Sequence, residues 1–131
     1  MIAIDTNVVV RLLVNDDVAQ ARRARALVAG GVDVFVAPTV LLECEWVLRA
    51  AYNFAPPQIG GFLRALLGLP GLHTEQPERV AQALDAYGRG MDFADALHLS
   101  FSHTAERFYT FDAQFRRNAA RSASVPGVWA P

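Results

Sequence analysis

Short apolar runs alternate with longer amphipathic stretches along this chain. Residues 2–4, Ile-Ala-Ile, predict a short buried strand. Thr6 and Asn7 then turn the chain into an apolar helix over residues 8–14. A second helix is predicted over residues 16–29, with Asp16 or Asp17 as its cap and Gly30-Gly31 as its stop. Val34-Phe35-Val36 reads as another buried strand. Pro38 and Thr39 open a helix running to about residue 52, with Thr39 as N-cap. Pro56-Pro57 start the next helix, and the glycines of 68–71 close it. Leu72-His73-Thr74 predicts a weak edge strand. Helices follow over 77–87, ended by Gly88 and Gly90, and over 92–105. Residues 108–110 predict a strand, 113–119 a short helix and 128–129 a last strand.

Short apolar strands alternating with helices are the signature of a parallel α/β sheet covered on both faces. Such sheets bind ligands beyond the carboxyl ends of their strands. Asp5 and Asp112 both fall at such ends, directly after Ile2-Ala3-Ile4 and after Phe108-Tyr109-Thr110-Phe111. Glu43 lies in the helix after the second strand, and Asp92 and Asp95 lie in the first turn of the helix that feeds the Phe108 strand. If the Ile2 and Phe108 strands are neighbours, all of these meet at one end of the sheet.

Carboxylates are costly in apolar surroundings unless something pairs them. Several of them, far apart in sequence but each at the edge of a buried element, point to one shared partner. The simplest is a divalent cation, Mg²⁺ or Mn²⁺. Each residue also has a plainer role. Asp5, Asp92 and Asp112 are each placed to cap a helix, and negative charge at Asp95 suits a helix dipole. Capping is favoured for Asp92 and function for Asp95. Glu43, flanked by Leu42 and Cys44, is expected to be at least partly buried, and Glu45 solvated. Cys44 reads as core, and His98 as packed or solvated. Arg116, Arg117 and Arg121, which follow Asp112, are better placed to meet a phosphate backbone than the Arg22-Arg23-Arg25 cluster.

Composition narrows the class. With 131 residues and a 53% apolar fraction, the chain is expected to be one domain, 1–131, with a sizeable core. No apolar run has the length of a membrane span, and the N-terminus lacks the basic region of a signal peptide, so a cytoplasmic location is expected. One cysteine excludes an internal disulfide framework. The formal net charge is −1, so no global basic field draws nucleic acid. All twelve basic residues are arginine, so lysine chemistry is absent.

The segments Ile4-Asp5-Thr6-Asn7-Val8, Leu42-Glu43-Cys44-Glu45-Trp46, Asp92-Phe93-Ala94-Asp95-Ala96-Leu97-His98-Leu99 and Tyr109-Thr110-Phe111-Asp112 resemble those of PIN-domain endoribonucleases. The likeness is closest to VapC-type toxins of bacterial VapBC toxin–antitoxin pairs. It covers the whole chain in order, and the Asp-Thr-Asn and Asp-Phe-Ala-Asp-Ala-Leu-His-Leu segments are its specific parts. The resemblance implies a PIN-like three-layer α/β/α sandwich around a central, mainly parallel five-stranded sheet. It also implies Mg²⁺ or Mn²⁺ as cofactor, RNA as substrate, a homodimer and a cognate VapB-like antitoxin. The acidic set becomes Asp5, Glu43, Asp95 and Asp112, with Asp92 accessory.

A carboxylate-held metal can activate water, neutralise the scissile phosphate and stabilise the leaving oxygen of a phosphodiester. Asp5 and Asp95 are the expected direct ligands, with Glu43 and Asp112 binding a second ion or orienting water. Thr6, Asn7 and Thr110 are expected in supporting positions. One ion or two is left open. A phosphoryl-accepting domain, receiver-like or an aspartate-nucleophile phosphatase, is one alternative, weakened by the missing lysine. A non-catalytic PIN-like binding module is another, weakened by the intact carboxylates. Phe54, Ile59, Phe62 and Leu66 are expected to form an exposed patch for a second copy and for an antitoxin segment. That segment would place a basic residue among the carboxylates.

Overall fold

The computed structural model describes residues 1–122 and 125–131. The chain divides into two compact units, Met1–Glu75 and Gln76–Pro131.

The first unit runs β1 (Ile2–Ala3), α1 (Thr6–Leu13), α2 (Val18–Val28), β2 (Val34–Phe35), α3 (Pro38–Ala50), α4 (Pro56–Leu67) and β3 (Leu72–His73). Its three strands pair in parallel in the order β1-β2-β3, with Ile2 opposite Val34 and Val34 opposite Leu72. Ile4 and Val36 extend the ladders by one bond each, to the carbonyls of Phe35 and His73. Val9, Val36, Leu41, Leu48, Ile59 and Leu63 are fully buried. Val36 belongs to the sheet, and the others are inward positions of helices, with Leu41 and Leu48 seven apart on α3 and Ile59 and Leu63 four apart on α4.

Two helix starts follow different chemistry. Asp17 caps α2, its Oδ1 accepting the Gln20 N–H at 3.0 Å, and Gly31 leaves the helix at φ +79°, in the left-handed region open to glycine. The expected Thr39 cap of α3 is replaced by Ala37, with no side-chain cap. Pro38 at the first turn makes the difference, since it has no N–H to satisfy and its φ is already helical.

The second unit runs α5 (Pro77–Gly88), α6 (Phe93–Ser100), β4 (Arg107–Tyr109), α7 (Ala113–Arg121) and β5 (Gly127–Trp129). Phe93 is fully buried, with its ring 5.2 Å from that of Tyr87 on α5. The strands β4 and β5 pair in parallel, Tyr109 opposite Trp129. Between the exposed Arg107 and Tyr109, Phe108 turns inward against Phe115 of α7. The helix expected over 92–105 ends at Ser100, because the Ser102 hydroxyl takes the His98 carbonyl at 2.7 Å and a turn follows.

The structure is α/β with parallel strands, but its ladders form a three-stranded and a two-stranded sheet where one five-stranded sheet was expected. Strands of two or three residues make ladders of two or three pairs. The partner of β1 is β2, and the partner of β4 is β5. The expected patch on α4 is also corrected. Ile59 and Leu66 are buried, and Phe62 is half-buried with Phe54 edge-to-face against it at 5.2 Å. Ile59 and Leu66, with Leu63, form the inner stripe of α4. Among the described residues, no helix is long and apolar enough to cross a membrane.

Candidate functional site

The candidate residues fall into two sets, one in each unit. In the first unit, β1 ends just before Asp5, which caps α1. Its Oδ1 accepts the backbone N–H groups of Asn7 and Val8 at 3.1 and 3.4 Å. No hydrogen bond from the described residues reaches Oδ2. Asn7 therefore contributes through its backbone, and its side chain is exposed. Thr6 is buried, and its hydroxyl donates to Oε1 of Glu43 on α3.

The two glutamates of α3 exchange their expected burial. Glu45 is buried at 3% exposure, while Glu43 is exposed. The inner stripe of α3 is Leu41, Cys44, Glu45 and Leu48, at helical spacing, and Glu43 lies off it. Glu45 is tolerated there because the Arg49 Nε, one turn later, meets both its oxygens at 3.1 and 3.2 Å. Burial pushes the Cys44 thiol up to about 12, helped by the negative charges of Glu43 and Asp5, with the Thr6 hydroxyl acting the other way. Cys44 is thus an inert core residue, as expected.

In the second unit, Asp92 caps α6 by accepting the Asp95 N–H at 3.0 Å. Asp112 caps α7, its Oδ1 accepting the N–H groups of Gln114 and Phe115 at 2.8 and 3.0 Å. Asp95 is different. It is half-buried, and its carboxylate accepts no hydrogen bond from the described residues. Burial raises its pKa above the ordinary carboxylate value, the charges of Asp92 and Asp112 raise it further, and His98 offsets part of this.

Sequence reasoning missed the brace around Asp112. The Thr110 hydroxyl accepts the Asp112 N–H at 3.0 Å, and Arg116 Nη1 donates to the Thr110 carbonyl at 2.8 Å. Arg116, expected to face phosphate, thus fixes the turn that presents Asp112. Arg117 likewise donates to Gln114, at 2.8 Å. The Glu45–Arg49 pair could have been found from its four-residue spacing. The six-residue reach from Arg116 back to Thr110 has no comparable sequence signal.

Two concave regions lie apart from these carboxylates. A largely apolar pocket of about 810 Å³ in the first unit is lined by residues that include Leu12, Val32, Leu66 and Leu69. One of about 470 Å³ in the second unit is lined by residues that include Arg79, Arg89, Ser100 and His103. None of Asp5, Glu43, Asp92, Asp95 and Asp112 lines either.

The donor set suits a hard cation. Every candidate ligand is a carboxylate, and that of Asp95 accepts no hydrogen bond from the described residues. No group of three or more ligating side chains is assembled among those residues. Mg²⁺ does not require one, since it keeps several waters and commonly takes only one or two protein carboxylates besides substrate phosphate.

A family model of the PIN domain matches residues 2–121. Comparison with curated proteins finds no match. A crystal structure of Mycobacterium tuberculosis VapC20, a Sarcin-Ricin loop cleaving toxin, is similar to this chain at 18% sequence identity and a TM-score of 0.45, over 96% of this chain and 98% of that one.

Proposed function

This chain belongs to the PIN domain family, and on that footing we propose that it is a metal-dependent endoribonuclease, the toxin of a type II toxin–antitoxin pair. The observation that carries this reading is Asp95. It is a half-buried carboxylate with no donor among the described residues, and two further carboxylates raise its pKa. Folding leaves that charge only partly offset, by His98, and a divalent cation completes the balance.

When bound, Mg²⁺ or Mn²⁺ would supply Lewis-acid charge to the scissile phosphate and lower the pKa of a nearby water. Asp5 and Asp95 are assigned as direct ligands. Glu43 and Asp112 hold a second ion or orient water. Thr6 fixes Glu43 through its hydroxyl, and Thr110 fixes Asp112. Asn7 serves through its backbone N–H to Asp5. Asp92 acts mainly as a cap. The family match runs through both units, which supports reading residues 1–131 as one PIN domain, and the five-stranded sheet belongs to that reading.

A VapB-like antitoxin, a homodimer and a cytoplasmic setting complete the proposal. Leu27, Val32 and Leu69 are exposed apolar residues of the first unit, and Val32 and Leu69 line its apolar pocket. They replace the patch expected on α4 as the surface offered to a protein partner. The absence of lysine argues against a phosphoryl-accepting domain.

The test is RNA cleavage by the purified chain with Mg²⁺ or Mn²⁺, with chelator, and with metal restored. Cleavage is expected only with metal, and a saturating ion is expected to raise the melting temperature. Cleavage that persists in chelator overturns the mechanism. Growth arrest on expression, relieved by the neighbouring open reading frame, tests the toxin assignment.

A further inference from the structure

The outer face of the two-stranded sheet carries residues that the carboxylate chemistry does not use. Arg107 and Tyr109 alternate with the inward Phe108 on β4, and Gly127 and Trp129 alternate with Val128 on β5. Tyr109 and Trp129 are register partners, and both are about half exposed, at 54% and 53%. The Arg107 guanidinium carbon lies 5.3 Å from the centre of the Trp129 ring. A Cβ at position 127 would come within 3.2 Å of Trp129 Nε1, so the glycine leaves room for the indole to lie across its own strand. Two residues beyond Tyr109, Phe111 is 87% exposed, the most exposed large apolar side chain among the described residues.

Scattered apolar residues at a surface are ordinary, but aromatic rings gathered on one sheet face with an arginine mark a binding surface. The local charge indicates its occupant. Residues 107–121 contain four arginines and one carboxylate, in a chain whose formal net charge is −1. Aromatic faces beside arginines suit unpaired nucleobases on a phosphate backbone, because every base offers a π-face and every phosphate a negative charge. Phe111 is also the residue directly before Asp112.

We propose that the outer face of the β4–β5 sheet, with Tyr109 and Trp129 on it and Phe111 at its end, is a stacking platform for unpaired bases of single-stranded RNA. The inference deepens the ribonuclease reading and rests on it only for the statement that the strand held there is the one cut. Arg107 holds the Trp129 ring and adds its own charge. The rings supply sequence-tolerant grip, and Phe111 sets one base beside the carboxylate that follows it.

Binding is measured in chelator, on the full chain carrying Trp46→Phe, so that emission comes from Trp129 alone. The probes are a short single-stranded oligoribonucleotide and an abasic oligomer of equal length. The base-bearing oligomer is expected to quench Trp129 and to bind at least tenfold more tightly than the abasic one. Phe111→Ala and Tyr109→Ala should each weaken it on the order of tenfold. Both variants should leave abasic binding unchanged, and Phe111→Tyr should retain affinity. Equal affinity for the two oligomers overturns the platform, as do alanine variants that bind like the parent. Variants that change self-association but not RNA affinity mark a contact between copies and also overturn it. Stacking without cleavage in Mg²⁺ or Mn²⁺ would remove the ribonuclease reading and leave the platform standing. Cleavage with unchanged affinity in the variants would do the reverse.

Discussion

The buried hydroxyl of Thr6 donates to the carboxylate of Glu43, 37 residues further along the chain. Glu43 lies off the inner stripe of α3, so this bond is what orients an otherwise solvent-facing side chain. Thr6→Ala is expected to cost about 1.5–3 kcal/mol of stability, the usual range for a hydrogen bond to a charged group. It should also lower RNA cleavage, while Thr6→Ser restores both. Chemical denaturation and initial cleavage rates on the three proteins are the check. A Thr6→Ala chain with unchanged rates would show that Glu43 needs no such orientation.

Asp95 carries its charge in the folded state against burial and against Asp92 and Asp112. Its raised pKa means that ionised Asp95 opposes folding at neutral pH. Asp95→Asn is therefore expected to hold or raise the melting temperature while abolishing cleavage. Asp92→Asn should alter cleavage little, because asparagine caps a helix almost as well as aspartate. An inactive Asp92→Asn beside an active Asp95→Asn reverses the assignment.

Acid sensitivity, the opposite dependence, arises in the first unit. Asp16 sits below its ordinary value of 3.8, held there by the Tyr52 hydroxyl at 2.7 Å and then by the Arg11 charge. A depressed carboxylate contributes stability above its unfolded pKa and loses it as pH falls through the folded one. Tyr52→Phe should thus be less stable than the parent at neutral pH, and the gap should close below about pH 3.8. Melting curves across pH 2–7 on both chains provide the test. A constant gap would assign the loss to packing of the ring instead.

Cys44 is fully buried, with its thiol pushed up to about 12. It should resist alkylation in the folded protein at pH 8 and react once the chain is denatured, which mass spectrometry resolves as a single adduct. Labelling of the native chain at the rate of a free thiol would place α3 in frequent local opening.

Much of the fold was legible because its punctuation is chemical. Pro38, Pro56 and Pro77 mark helix starts, and Asp5, Asp17, Asp92 and Asp112 are caps. The same property drew attention to the acidic candidates, since a strand-end aspartate that caps the next helix stands where the ligands of such sheets gather. Burial within a helix was less legible. The apolar neighbours of Glu43 suggested that it was inside, yet the stripe through Leu41 and Leu48 passes through Glu45. A reading that admits only apolar residues to a stripe discards a glutamate neutralised by an arginine one turn away. The α4 patch failed for the opposite reason, because surplus apolar residues show exposure only once the packing partners are known. The ladders were hardest to foresee, since strands of two or three residues carry almost no register information.

Asp5 and Asp112 each cap a helix through Oδ1 alone. An amide oxygen performs that task as well as a carboxylate oxygen, so asparagine at either position keeps the helix and loses the charge. Under the proposed toxin function, a gene carrying this arrangement has a ready path to silence. One aspartate-to-asparagine change yields a chain that still folds and still offers its surfaces to a partner. Clones surviving forced expression should therefore be enriched in such substitutions at positions 5 and 112 among missense survivors that remain soluble. The inert protein they make would still bind the proposed antitoxin, leaving less of it to restrain any active copy in the same cell.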